Sequence, residues 1–166
     1  MNVNRILFPT DFSEHSKVAE RTACDYAAHF GAELHVLHVL NDLCLMMPDA
    51  AAELLIPPKV LEDLIVSAEE EIEKVPLATG TCNKVVRVVR IGSTYASIVQ
   101  YAKDNAIDLI VIGTHGRTGL PHVLLGSIAE RVVQHAQCPV LTVRSDQLVA
   151  VDEKKSIGFQ PELKPV

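Results

Sequence analysis

The sequence predicts a single α/β domain on a doubly wound, five-stranded parallel sheet, strand order 3-2-1-4-5, with helices on both faces. Three observations predict it. Short apolar runs alternate with segments of helical period about 10 to 16 residues long, which is the pattern of βαβ units and so of a parallel sheet covered on both sides. Crossovers between parallel strands are right-handed, which restricts such a chain to a doubly wound topology. At 166 residues the chain has the length of one ordinary domain that can close one hydrophobic core.

The elements follow in order. Residues 3 to 8, Val-Asn-Arg-Ile-Leu-Phe, form a short apolar run ended by Pro9, read as a buried strand. Ser13 is suited to cap a helix on which Ala19, Ala23, Tyr26, Ala27 and Phe30 recur at helical spacing, with Gly31 as its stop. Residues 33 to 40 form the second strand. The stretch 41 to 58, with Pro48, Pro57 and Pro58, reads as a loop. An amphipathic helix follows from Val60 to Lys74, with Leu61, Leu64, Ile65, Ala68 and Ile72 on one face. Residues 84 to 91 give the third strand, and Gly92-Ser93 caps a helix carrying Ile98, Val99 and Ala102. Asp108 to Ile112 is the fourth strand, continuously apolar after its first residue. A glycine-rich loop over 113 to 126 leads into a helix from Ser127 to Ala136, and Pro139-Val-Leu-Thr-Val143 is the fifth strand. Residues 145 to 166 have mixed charge, two prolines and no clear period, and read either as disordered or as a covering arm.

Composition excludes several functions. Hydrophobic residues make up 48% and charged residues 22%, close to soluble globular averages. No apolar run approaches the roughly 20 residues that span a bilayer, and the N-terminus shows no secretory pattern, so the expectation is a cytoplasmic protein without a membrane partner. The net charge of -6, with no Lys/Arg cluster, argues against nucleic acid. Cys24, Cys44, Cys82 and Cys138 are scattered without a C-x-x-C pair and read as buried thiols in a reducing compartment. His35 and His38, three apart on a strand, face opposite sides and cannot share a metal. No metal site is expected.

The chemistry concentrates in one loop. Half of the chain's eight glycines fall within Gly113-Thr-His-Gly116-Arg-Thr-Gly119-Leu-Pro-His-Val-Leu-Leu-Gly126-Ser127. Glycine permits positive φ and close backbone approach, and two glycines directly after a strand can turn successive N–H groups toward an anion. Gly126 stands before Ser127 at a helix start, where N–H groups and the helix dipole favour phosphate, and Arg117 adds a cation. The competing reading is a long turn in which the glycines only relieve strain. In a doubly wound sheet ligands bind beyond the carboxyl ends of the strands at the switch point. There the loop after the fourth strand meets Pro9-Thr10-Asp11 after the first.

G-x2-G-x9-G-[ST] after the fourth strand resembles the ATP-binding signature of the universal stress proteins. The segments Arg5-Ile-Leu-Phe-Pro-Thr-Asp-Phe-Ser13, Leu37-His-Val39, Asp108-Leu-Ile-Val-Ile-Gly-Thr-His-Gly-Arg117 and Cys138-Pro-Val-Leu-Thr-Val-Arg144 are similar to that family's, in order. The resemblance covers residues 1 to 144, leaving the tail from 145 outside a universal stress protein-like nucleotide-binding domain. It implies an ATP site lined by Pro9, Thr10, Asp11, Val39, Ile112, Gly113, His115, Gly116, Arg117, Gly126, Ser127 and Ile128. Asp11 and Val39 would frame adenine and ribose, and the glycine loop would hold the phosphates. A carboxylate is repelled by a triphosphate, which puts Asp11 at the sugar–base end. Asp11 and Ser127 can each also be read as a simple helix cap. The resemblance further implies a homodimer through the strand 139–143.

Strong catalysis is not expected. The chain lacks a G-x4-G-K-[ST] P-loop, and no lysine occurs between Lys103 and Lys154. No acidic pair stands near the loop to hold Mg²⁺, so a metal would depend on the phosphates and water. His115 is the one candidate proton acceptor there, and a solvent-facing or backbone-facing side chain is the preferred reading of it. The expected function is an ATP-binding regulatory or stress-response module with an unidentified protein partner. The alternatives are a slow ATP hydrolase or phosphate-transfer enzyme, and a scaffold whose loop stays empty.

Overall fold

Val, Ile and Leu, whose branched side chains suit a pleated surface buried on both sides, dominate five short segments that enter one sheet. The computed structural model describes residues 2–41, 58–75, 84–114 and 125–144. Its strands are β1 (Arg5–Thr10), β2 (Glu33–Asn41), β3 (Val85–Gly92), β4 (Leu109–Gly113) and β5 (Val140–Val143). They pair in parallel in the order β3-β2-β1-β4-β5, as the sequence predicts. The helices among the described residues are α1 (Ser16–Phe30), α2 (Pro58–Glu73), α3 (Thr94–Asp104) and α4 (Ser127–His135).

Alternation along the strands divides the core in two. Ile6, Phe8, Leu34, Val36 and Val111 pack with Ala19, Ala23 and Ala27 of α1 and Ile72 of α2. Leu7, Leu37, Ile110 and Ile112 pack on the other face with Ile98, Tyr101 and Ala102 of α3 and with Ala129 and Val132 of α4. The neighbours β1 and β4 therefore send their following helices, α1 and α4, to opposite faces. Their recorded pairing is Ile6 with Leu109 and Leu7 with Ile110, so it ends before either strand does. The change of side between these two neighbours marks the topological switch point.

Several expectations need correction. Pro9 does not end the first strand: β1 runs on to Thr10, with Pro9 in register with Leu37. A residue without an N–H is tolerated there because the ladder to β4 has already stopped. Pro58 is not loop but the opening residue of α2, where the missing N–H would be unpaired anyway. Pro139 precedes β5, and Asp108 precedes β4. The Asp108 carboxylate instead accepts the N–H groups of Asn4 at 2.8 Å and Arg5 at 3.0 Å, tying the start of β4 to the start of β1.

Two helical faces are narrower than their sequences suggest. On α1 the buried residues are Ser16, Ala19, Glu20, Ala23, Cys24 and Ala27, whereas Tyr26 and Phe30 are 39% and 42% exposed. A stripe of mostly small residues brings the helix close to the sheet and leaves no volume for a ring. The two rings instead meet each other at a tilt of 54°, with centroids 5.9 Å apart. Gly31 ends α1 at φ 64°, as expected. On α2 only Ala68 and Ile72 are buried; Leu61 and Leu64 are 39% and 44% exposed, so the N-terminal half stands off the sheet. On α3 the expected Ile98 and Ala102 are buried and Val99 is half-buried, while Tyr101 joins them in the core.

Cys24 is buried and Cys138 half-buried; Cys44 and Cys82 lie outside the described residues, as do most of the loop 41–58 and the tail 145–166. His35 and His38 are both buried and do face opposite sides. His35 Nδ1 meets Tyr101 Oη on the α3 side, and His38 stacks on Phe12, which packs with the α1 core.

Candidate nucleotide site at the switch point

The chain leaves β1 through a turn held at almost every residue. The Ser16 hydroxyl donates to the Ser13 carbonyl at 2.8 Å, and the Ser16 N–H bonds the same oxygen at 3.0 Å. With its one proton so used, Ser16 Oγ accepts from the Thr10 hydroxyl at 3.3 Å. Thr10 Oγ1 in turn accepts the Phe12 N–H at 3.1 Å. These hydroxyls form a chain with one direction, and both Thr10 and Ser16 are buried. From β2, the His38 Nδ1–H donates to the Thr10 carbonyl at 2.8 Å; a carbonyl only accepts, which fixes the proton on Nδ1.

Phe12 sits at φ 62°, a left-handed backbone that costs an L-residue about 1–2 kcal/mol. Its ring stacks on His38, with centroids 4.2 Å apart and planes 24° apart. The left-handed step folds Ser13 back onto Asp11. Asp11 Oδ1 accepts the Ser13 N–H at 3.1 Å and the Ser13 hydroxyl at 2.6 Å. Ser13 is therefore not the N-cap that its sequence position suggests. That residue is His15, and the Ser13 hydroxyl is committed to Asp11.

The opposite wall is built from β4 and α4. Gly113 pairs with Val143, and the next residue, Thr114, donates its N–H to Val143 O at 2.8 Å. The Thr114 carbonyl then accepts the Gly126 N–H at 2.7 Å, closing the loop between them. A Cβ at position 126 would meet that carbonyl at 3.0 Å, so the close approach favours glycine. Gly126 is also the N-cap residue of α4, and its carbonyl takes the first intrahelical bond, from Glu130 N–H at 2.9 Å. The N–H groups of Ser127, Ile128 and Ala129 precede that bond and make up the helix's N-terminal donor set. Gly126 has no side chain to cap them.

The sheet brings most of the expected residues to one edge. Thr10, Asp11, Gly113, Gly126, Ser127 and Ile128 lie at the carboxyl ends of β1 and β4, and Val39 near that of β2. Pro9 and Ile112 are buried in the sheet, so their side chains serve the core beneath the site. Val39 packs on the same face as Ile112. His115, Gly116 and Arg117 lie outside the described residues. The sequence reading missed Ser13, Ser16, Phe12 and His38 as parts of the site. The Asp-x-Ser spacing was the available signal, since Asp side chains commonly bond the backbone two residues on.

A model of the universal stress protein family matches residues 2–144. The universal stress protein MJ0531 of Methanocaldococcus jannaschii is 34% identical over 140 residues, 84% of this chain and 81% of the relative. Among solved structures, MJ0577 of the same organism is 28% identical and superposes with a TM-score of 0.70 over 87% of this chain and 97% of its own. The universal stress protein UspA of Lactobacillus plantarum, also 28% identical, gives 0.69 over 87% and 99%. The fold and these likenesses agree: the chain belongs to the universal stress protein family.

Proposed function

We propose that this chain is an ATP-binding regulatory protein of the stress response, taking the nucleotide in the crevice beyond β1 and β4. The observation that carries the reading is the meeting of two opposed chemistries at one switch point: an oriented Asp11 carboxylate and the glycine-capped N-terminus of α4. The helix start favours an anion, and the carboxylate favours hydroxyl or amine donors. A nucleotide presents both, at its two ends. The residues present fit such a ligand, because the tight approach of Gly126 to Thr114 favours glycine beside the helix start and so leaves its N–H groups uncapped by a side chain. ATP in particular rests on the resemblance of the glycine motif, with Gly113 and Gly126 at its ends. In this reading Gly116, Arg117 and His115 complete the phosphate end, and Mg²⁺ is held by the phosphates.

Universal stress proteins of the same fold have been solved in complex with cAMP, at 21% identity, and, from Archaeoglobus fulgidus, with dAMP, at 18%. At those identities the likeness is one of fold, so the nucleotide must be identified directly. The reading also takes residues 1–144 as the nucleotide-binding domain, with 145–166 as its tail. It sets the protein in the cytoplasm and pairs two copies through β5. A regulatory role is preferred to an enzymatic one because the loop lacks a P-loop lysine.

Mass spectrometry of the small molecule released by heat from purified protein is expected to detect ATP. Finding no nucleotide there, and no ATP binding by calorimetry, overturns the reading. Asp11→Ala is expected to weaken ATP about ten- to a hundredfold, the worth of a bond to a charged group, while leaving inorganic triphosphate unchanged. An equal loss for both ligands would move Asp11 to the phosphate end.

A further inference from the structure

We propose that Ser13 is a positioning residue for Asp11, and that the left-handed Phe12, braced on His38, is what brings it there. The inference rests on the nucleotide reading of Asp11 and deepens it. Ser13 closes on one carboxylate oxygen with both of its donors, the N–H at 3.1 Å and the hydroxyl at 2.6 Å. The hydroxyl bond is in the short range of charge-assisted contacts. Together they saturate Oδ1 with protein donors and fix the plane of the carboxylate before any ligand arrives. The ordering of Asp11 is then a cost met in folding, not on binding.

The turn that does this is over-determined. Ser13 is fixed from the α1 side by two bonds from Ser16 to its carbonyl. Thr10 is fixed from β2 by His38. Phe12 lies between them in a backbone conformation that a residue with Cβ adopts only when its surroundings hold it there. Phe12 is held by the Thr10 hydroxyl on its N–H, by the His38 ring against its own and by packing on the α1 core. A simple cap for α1 would need none of this, because the helix starts three residues after Ser13 and Ser13 does not cap it. Strain held at a site edge, with an acidic side chain oriented by it, points to ligand pre-organisation.

The test uses the full chain, calorimetry with ATP and with inorganic triphosphate, and far-UV CD for folding. Ser13→Ala is expected to weaken ATP about three- to tenfold, the range for releasing one ordered side chain, with triphosphate unchanged. Ser13→Thr, which keeps the hydroxyl, should restore most of the loss. In an Asp11→Ala background Ser13→Ala should cost nothing further. Phe12→Gly accepts positive φ without strain yet removes the ring, and should weaken ATP by a similar factor. Equal losses for both ligands, or a Ser13→Ala loss that persists without Asp11, would make the role merely structural and overturn the proposal. So would unchanged ATP binding in Ser13→Ala while Asp11→Ala remains costly. If Asp11→Ala itself leaves ATP binding intact, the nucleotide reading of Asp11 has failed, and the positioning role falls with it.

Discussion

Beneath α3, His35 Nδ1 lies 2.8 Å from Tyr101 Oη, and Nε2 is buried with no hydrogen-bond partner among the described residues. Glu33 Oε1 is 3.7 Å from Nε2, too far for a bond but near enough to favour the proton there, so Tyr101 donates to Nδ1. Burial, the largest influence, holds His35 below its ordinary value of 6.5; Glu33 opposes the shift, and Arg5 and Lys84 add to it. Arg90 lies over the Tyr101 ring at 4.9 Å and brings a further positive charge to the cluster. The unfolded chain therefore takes up a proton near 6.5 that the native state refuses. This contribution to stability is complete above that pH and is lost as pH falls below it. Glu33, whose hydrogen bond from Lys84 holds it below its ordinary 4.5, loses its contribution only at more acidic pH, so the two windows separate. Urea midpoints measured at about pH 7.5 and pH 5.5 should fall for wild type and fall less for His35→Gln. Parallel slopes in the two proteins would remove His35 from the account.

At the scale of elements, the start of the helix that follows the glycine loop is tied to the end of β4 by one short contact. Gly126→Val would put a branched carbon where even Cβ lies 3.0 Å from Thr114 O, displacing the start of α4 from the end of β4. The expected outcome is a loss of about ten- to a hundredfold for ATP and inorganic triphosphate alike, the worth of one bond to a charged group. The far-UV CD should stay that of wild type, because strands β1, β2 and β3 do not touch the change. A loss confined to ATP would place the helix start at the wrong end of the ligand. The elements themselves were legible from the sequence wherever one physical signal dominated. Continuous apolar runs gave the five strands, the crossover rule their order, and Gly31 marked a helix end through a left-handed backbone that few other residues adopt. Local periodicity misjudged Tyr26, Phe30, Leu61 and Leu64 because it reports a face but not how much of that face the sheet can cover. It also missed the turn after β1. There the decisive facts are a left-handed Phe12 and a histidine arriving from β2, and neither leaves a periodic trace.

For the molecule as a whole, the open question is what meets the edge of the sheet. β5 ends the strand order, is four residues long, and has β4 on one side. The carbonyls of Pro139 and Val143 accept from Ile110 and Thr114 of the β4 segment at 3.0 and 2.8 Å. Backbone groups alternate in direction along a strand, so those of Val140 and Thr142 point away from β4, toward an edge that no strand among the described residues pairs. The strand carries no charge, and its one exposed residue is Thr142, so only its shortness blunts the edge from within the strand. A two-fold axis beside β5 would pair the edge with itself in a second copy and bring no like charges together. The side chains of Leu141 and Val143 pack on the α1 core and that of Val140 on the α4 core, so charging them would test folding as much as association. Thr142→Pro is the cleaner probe: it removes an outward N–H and leaves the bonds to β4 in place. Light scattering of wild type at micromolar concentration is expected to give twice the chain mass of 18.1 kDa, and Thr142→Pro to give the single mass with unchanged far-UV CD. A monomeric wild type would rule out the dimer, and a folded Thr142→Pro that remains dimeric would move the interface away from β5.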